Sequence, residues 1–441
     1  MNKNSEENIQ PPAAPPAADK AKLHPWYWIP SLYFISGLPN VTVMTVSVIL
    51  YKALGISNTE IAFYTAWLYL PWVIKPLWSP FVDILKTKRW WIISMQWCIG
   101  IALAGVAFML PTSFFFSATL AMFWLMAFAS ATHDIAADGF YMLALTEFQQ
   151  SYFVGIRSTF YRLSSLFAQG VLVALAGWLE INTGNVPLAW IIVIGLMSVL
   201  FCTAAIYHQF VLPRPASDHG KPDRTVSDII SEFTGAFSTF FKKPGIWTAL
   251  AFMLLYRLPE AQLVKMINPF LLDPANKGGL GLSTFEVGIT YGTVGIIGLI
   301  AGGISGGFVA AMGGLRKWIR PMAWSMSLTC LTFVLLSRLD APSIYLVNVC
   351  VFVEQFGYGF GFTAYMLYLI YFSEGKYATS HYAICTGFMA LGLMLPGMAA
   401  GWLQEQLGYQ HFFIWTIICC VATIVVAYSV KIDAGFGIKR K

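Results

Sequence analysis

Apolar residues run along this chain in unbroken blocks rather than at helical or strand periods. Twelve blocks can be counted, near residues 27–51, 58–82, 90–110, 114–145, 156–180, 187–212, 245–272, 283–311, 317–337, 342–372, 379–404 and 410–430. Each is about 20–32 residues long, enough for a helix to cross the hydrocarbon core of a bilayer with some tilt. A soluble core would show one apolar face per element instead of apolarity all round. The pattern predicts an all-α polytopic membrane protein of twelve transmembrane helices.

The polar intervals divide the chain further. Residues 1–25 and 431–441 read as tails, and 213–244 is the longest polar interruption between a first set of six spans (26–212) and a second (245–430). Inside that interruption Ile229, Phe233, Phe237 and Phe240 recur at helical spacing. A short amphipathic helix lying on the membrane surface is expected there, with a flexible linker as the alternative. The two sets repeat. Ser57-Asn58-Thr59-Glu60 before the second span matches Ser283-Thr284-Phe285-Glu286 before the eighth, and both have the form of a capping box. Leu38-Pro39 matches Leu258-Pro259, Arg89-Trp90-Trp91-Ile92 matches Arg316-Lys317-Trp318-Ile319, and Gly177-Trp178-Leu179 matches Gly401-Trp402-Leu403. Four matches in the same order indicate two parallel six-helix repeats, an arrangement that places a substrate site between the halves near the midplane.

Composition agrees: 57% of residues are hydrophobic and 11% charged, against roughly 25% charged in soluble domains. Loops on the side of the termini carry Lys86, Lys88, Arg89, Arg157, Arg214, Lys221, Arg224, Lys242, Lys243, Arg316, Lys317, Arg320 and Lys376, whereas the opposite loops carry only Lys52, Lys277 and Arg338. The positive-inside rule then puts both termini in the cytoplasm. The net charge of +6 comes from these loops and gives no reason to expect nucleic acid. The N-terminal tail, rich in Pro, Ala and Glu, lacks the apolar core of a signal peptide and reads as a disordered cytoplasmic segment. The seven cysteines fall within spans without ligand-like spacing, so no metal or redox role is expected.

Charges inside the spans carry the functional signal. Asp134 and Asp138 share one face of the fourth span, where inserting a single Asp costs roughly 2.5–3.5 kcal/mol at the helix centre. By the topology, Arg162 on the fifth span and Lys75 on the second lie at similar depth, in the half nearer the termini. Two carboxylates beside such cations are poised to bind and release a proton; the alternative is a permanent ion-pair lock with Arg162. His133, turned about 100° from Asp134, reads as a hydrogen-bonded packing residue. In the second half, Arg257, Glu260, Val264 and Asn268 form a stripe after Pro259, which frees the Leu255 carbonyl and kinks the helix. Lys265 flanks that stripe, and Glu354, Tyr358, Phe362 and Tyr365 form another on the tenth span. Arg257 and Glu354 are plausible partners and Lys265 is placed to meet an anionic solute, the alternative being an internal Glu–Arg pair that only holds the structure; Tyr64, Trp67, Tyr358 and Tyr365 are candidates to stack on sugar rings. The glycines of the eighth span, from Gly288 to Gly307, suit close helix packing or sliding and are assigned no ligand. Asp83 and Arg89 bound a short acidic-then-basic loop between the second and third spans. That loop resembles the gate latch of major facilitators, although Ser79 stands where a glycine is usual and Ile84 where an arginine is. No phosphate-binding glycine loop and no nucleophile–base spacing appears, so neither ATP-driven pumping nor an enzyme is expected, and no cofactor is implied.

The segments Ser36-Gly37-Leu38-Pro39, Lys75-Pro76-Leu77-Trp78-Ser79-Pro80-Phe81-Val82-Asp83, His133-Asp134-Ile135-Ala136-Ala137-Asp138 and Tyr161-Arg162-Leu163 resemble the AmpG-type muropeptide permeases of the major facilitator superfamily and the related acetyl-CoA transporter branch. The likeness lies in spans 1, 2, 4 and 5. It implies a proton-driven importer of anhydro-muropeptides from cell-wall turnover in a bacterial inner membrane, and implicates Lys75, Asp83, Asp134, Asp138 and Arg162. The expectation is therefore a monomeric, proton-coupled symporter of an anionic sugar-containing solute. Other readings are a carrier for an acyl-CoA or siderophore-like anion, or a non-transporting receptor or assembly subunit on the same fold.

Overall fold

The computed structural model describes residues 24–145, 147–215, 218, 226–375, 378–433 and 436. Its described residues contain nine helices long and apolar enough to cross a membrane. In chain order, the first six segments are α1 (Pro25–Ala53), α2 (Asn58–Trp67 with Leu70–Leu85), α3 (Lys88–Met109), α4 (Phe115–Ala144), α5 (Glu147–Leu166 continuing to Thr183) and α6 (Val186–Val211). The second set comprises α7 (Ile246–Leu255 with Leu258–Leu272), α8 (Thr284–Gly313), α9 (Leu315–Thr329 with Leu331–Leu336), α10 (Ile344–Ser373), α11 (378–407) and α12 (409–429). The last two join at Gly408, whose φ of 70° turns the chain where a side chain would be strained.

Proline explains two of the three broken segments. Pro71 sits in the first turn of the second piece of α2, and Pro259 in the first turn of the second piece of α7. Each lacks the N–H that would continue the helix before it. The break expected at Pro259 therefore falls at Tyr256–Arg257 and leaves Arg257 at the discontinuity, buried among α7, α10 and their aromatic side chains. Three further irregularities are π turns, at Thr42–Val46 in α1, Phe167–Leu172 in α5 and Thr290–Gly295 in α8. Those of α5 and α8 pack against each other: a Cβ at Gly292 would overlap the Gln169 backbone, and one at Gly170 would press on Thr293.

The core is arranged unevenly. Away from the termini, one continuous cluster joins both halves, with Val43, Phe123 and Trp190 from the first and Phe270, Phe333 and Phe413 from the second. Towards the termini the halves have separate cores. One gathers Trp28, Phe140 and Leu212, and the other Phe252, Tyr365 and Leu369. The two bundles are thus fused at the distal side and parted at the terminal side. A helix before α7, Val226–Phe241, is docked on the second bundle, where Phe240 is buried against Phe372, His381 and Phe388. Lys243 fastens its end by donating to the carbonyls of Phe372 (2.5 Å) and Glu374 (2.8 Å) at the close of α10.

Candidate functional site

Between the parted bundles lies a cavity of about 1060 Å³. Its rim holds Lys86, Lys88 and Asp218 on the terminal side, and its floor reaches Gln169, Tyr291 and Glu354. Both halves line it.

On the first half's wall, Asp134 is held by two neutral donors. The Ser36 hydroxyl donates to Oδ1 at 2.8 Å and the Trp72 indole N–H to Oδ2 at 3.2 Å. Lys75, half-buried, lines the same wall. One turn nearer the rim, Asp138 accepts from Arg157 at 3.0 Å and from the Tyr33 hydroxyl at 3.4 Å. The Arg157 guanidinium is sandwiched between the rings of Tyr33 (4.6 Å) and Tyr141 (4.9 Å). The Asp138 side chain remains 48% exposed, so this ion pair faces water in the mouth of the cavity.

This arrangement corrects the expected role of Arg162. Arg157, placed by the sequence pattern in a loop, lies well inside α5 because the helix begins at Glu147. Arg162 is five residues on, about 140° around the helix. Its guanidinium lies beside Gly303 of α8, and among the described residues the ion pair to Asp138 is made by Arg157.

The second half's wall is closed on itself. Arg257 Nε and Nη2 donate to the two oxygens of Glu260 at 3.0 and 3.2 Å, and Nη2 also donates to the Tyr358 hydroxyl at 2.6 Å. The ring of Phe362 covers the guanidinium at 4.7 Å. Arg257 therefore pairs with its own helix and not, as the stripes suggested, with Glu354. The buried Glu354 accepts from the Gln355 amide at 2.8 Å. Both glutamates and Tyr358 line the cavity.

Three expected solute contacts are elsewhere. Tyr365 is fully buried in the second core and donates to the Met253 carbonyl at 2.7 Å. Tyr64 faces outward, its ring edge-on to Phe63 and Phe116. Lys265 is buried between halves, donating to Thr65 of α2 at 2.9 Å with its ammonium 5.4 Å from the Tyr69 ring centre, and does not line the cavity. Arg89 bonds within its own half: Nε donates to Leu212 O at 3.3 Å and Nη2 to Gln209 O, tying α3 to the end of α6. The Asp83 side chain lies outside the described residues. His133 belongs to a buried chain, Ser31–His208–Gln96–His133, with links of 3.0, 3.0 and 3.1 Å across α1, α6, α3 and α4.

Sequence reasoning missed the distal closure. Lys52 of α1 forms an ion pair at 2.7 Å with Asp273, which follows α7. Tyr409 donates to the same carboxylate at 2.6 Å, and the Asn58 amide donates to Gln404 at 2.6 Å and to Tyr409 at 3.0 Å. None of these lines the cavity. The repeated sequence motifs meet crosswise at this end. Gly401 of α11 lies so close to Asn58 that a Cβ would overlap its backbone, and Gly177 of α5 stands in the same relation to Phe285 at the start of α8. The signal was present in Lys52, one of three cations on a side poor in charge.

Comparison with known proteins matches residues 31–373 to the family described as Major Facilitator Superfamily. Over 409 residues the chain is 26% identical to a Rickettsia conorii (strain ATCC VR-613 / Malish 7) protein named Putative transporter AmpG 4, covering 90% of this chain and 94% of that one. It is 25% identical over 408 residues to the Anhydromuropeptide permease of Escherichia coli (strain K12), covering 89% and 77%. Among solved structures, a POT family transporter in complex with 5-aminolevulinic acid superposes with a TM-score of 0.69 at 10% identity, covering 91% of this chain and 94% of that chain. A bacterial homolog of the human lysosomal transporter Spinster gives 0.67 at 14%, with the same coverage. At those identities the likeness is one of fold.

Proposed function

We propose that this chain, which belongs to the major facilitator superfamily, is a proton-coupled importer of an anionic, sugar-containing solute, an anhydro-muropeptide, working by alternating access. The observation that carries this reading is the cavity, which lies between the parted cores with Lys86, Lys88 and Asp218 at its rim, while the Lys52–Asp273 network joins the halves at the other end. Its volume is at the upper end of small-molecule sites, which run to about 1,000 Å³, so a disaccharide with a short peptide is a reasonable match in size. Its walls offer cations for carboxylates and the rings of Tyr69, Trp72, Tyr358 and Phe362 for sugar faces. The names of the AmpG relatives support the same solute class.

The excess of Lys and Arg on the terminal side supports a cytoplasmic position for both termini in a bacterial inner membrane. The described state is then the inward-open one. Asp134 is the carboxyl best placed to carry the proton, since it lies in the cavity wall, bonded by neutral donors and by no arginine. Asp138 shares its charge with Arg157.

Uptake into proteoliposomes tests the reading directly. An imposed pH gradient, acid outside, is expected to drive labelled anhydro-muropeptide inwards and to leave a neutral disaccharide behind. Uptake indifferent to the gradient removes the coupling. Preference for an acyl-CoA or siderophore-like anion replaces the solute. The Arg157–Asp138 pair favours one rival, in which the charges within the spans only fix helices together. That rival gains if an Arg157→Gln, Asp138→Asn double variant, together with Asp134→Asn, transports as well as the parent.

A further inference from the structure

Five cations line the cavity, and four of them are accounted for. Arg157 is paired with Asp138 and Arg257 with Glu260. Lys88 is buried, its stem packed on Gly139, and has an interaction of its own. Lys86 is exposed at the rim, where water solvates it. Lys75 is different. It is half-buried in the cavity wall, and among the described residues no carboxylate lies within ion-pair distance of it and no acceptor takes its protons. A partly desolvated ammonium without a partner is costly unless a ligand completes it.

Its surroundings indicate what that ligand is. Around Asp134 stand Ser36 from α1, Trp72 and Lys75 from α2, Asp138 from its own helix and Tyr161 from α5. Lys75 is the one cation in that set, and it acts on Asp134 through the field rather than through a bond. On the opposite wall the one cation, Arg257, is already answered by Glu260, and the rings of Tyr358 and Phe362 line the space beside it. A solute with a negative end and a neutral ring system is therefore oriented across the cavity, charge towards α2 and rings towards α10. A lysine suits this task because its compact charge meets a single carboxylate oxygen and can be shared, where an arginine would hold both oxygens in its fork.

We propose that Lys75 is the anchor for a carboxylate of the solute, and that this carboxylate and Asp134 compete for its single positive charge. The inference rests on the transport reading above and names which end of the solute is bound and what couples it to the proton. Before binding, the site holds one ammonium and one Asp134 carboxylate. When the solute carboxylate takes the ammonium, Asp134 loses the field of that cation and takes up a proton from water. The site then holds the ammonium, the solute anion and a neutral Asp134 carboxyl, so its net charge is unchanged. No covalent bond is made or broken. Release reverses both steps, and one carboxylate travels with one proton.

Equilibrium binding to the full chain in lipid nanodiscs tests this, using anhydro-muropeptide with free stem carboxylates and the same molecule amidated. The parent is expected to prefer the free acid and to take up a proton on binding it, read by calorimetry in buffers of different ionisation heat. Lys75→Gln is expected to weaken binding of the free acid by about tenfold to a hundredfold, the worth of one charged hydrogen bond, and to leave binding of the amide unchanged. That unchanged binding also certifies the fold. Lys75→Arg should recover most of the affinity for the free acid, and Asp134→Asn should bind it without proton uptake. Equal weakening of both ligands by Lys75→Gln, or no weakening, overturns the assignment of Lys75 while the muropeptide reading stands. Proton uptake that survives in Asp134→Asn overturns the shared-charge coupling. A parent that binds neither ligand overturns the muropeptide reading and the assignment built on it.

Discussion

Arg257 on the second half's wall spends its guanidinium on its own helix and its neighbour, with both Glu260 oxygens and the Tyr358 hydroxyl at 3.2 Å or less. On the first half's wall, Lys75 and Asp134 face the same space without touching, and Asp134 is satisfied by a serine and a tryptophan. A closed ion pair is rigid and selective by shape, because its charges are already answered. An open pair can still respond to an arriving ion. Under the proposed function, the contrast gives scaffolding to the second wall and the response to solute and proton to the first.

The largest effect that would sharpen this contrast is on stability. Removing one partner of a buried pair leaves the other charge unanswered, which costs roughly 3–5 kcal/mol. Arg257→Met alone is expected to lower the thermal unfolding midpoint in detergent severely. Arg257→Met with Glu260→Leu is expected to recover most of that loss, since apolar replacement of both partners is often near neutral. A double variant as unstable as the single would mean that the pair does more than lock the wall.

Next is the response attributed to the first wall. Asp134→Asn is expected to cut gradient-driven uptake by about a hundredfold, equivalent to about 2.7 kcal/mol, while solute exchange across a membrane without a gradient persists. If exchange is lost equally, Asp134 serves binding or folding, and the division between the walls fails.

The distal closure bears on both walls, because on the proposed alternating-access cycle it seals the far end of the cavity they line. Lys52→Ala or Asp273→Ala removes an ion pair that is largely buried, with side-chain exposures of 12% and 6%. Each is expected to shift the population towards distal opening, read as faster labelling of a cysteine placed at Gln169 on the cavity floor from the distal side. Gly401→Val should act the same way by forcing α11 off Asn58, and the exchange of Lys52 and Asp273 for one another should restore closure.

Much of this was legible in the sequence, for reasons that particular residues make clear. The spans, the Asp134–Asp138 face and the break at Pro259 depend on local rules, in which apolar length, a four-residue spacing and a missing N–H suffice. The repeat motifs were legible too, but what they do was not. Gly177 and Gly401 are matched in sequence, yet each packs on the other half's helix start, a relation that no local pattern encodes. Partner choice failed for the same reason. Arg157 and Arg162 differ by five positions, and only the true start of α5 decides which faces Asp138. Tyr64 and Tyr365 are aromatic at plausible depth, but one faces outward and the other into the core, because the rotation of each helix is set by its neighbours. Lys52 and Asp273 lie far apart in the chain and meet only when both bundles are assembled.

The smallest effect expected is at the mouth of the first wall, and it separates the two aspartates. The Arg157–Asp138 pair is 30% and 48% exposed, so water screens it and its worth is under about 1 kcal/mol. Asp138→Asn is therefore expected to leave the unfolding midpoint nearly unchanged. Arg157→Gln should cost slightly more, because the guanidinium also stacks between Tyr33 and Tyr141. In uptake, Asp138→Asn should reduce the rate several-fold at most and retain its response to the pH gradient, whereas Asp134→Asn loses that response. Were the two asparagine variants to fail alike, the aspartates would form a single proton site, and the one-turn separation that leaves Asp138 to an arginine and Asp134 to neutral donors would carry no functional weight.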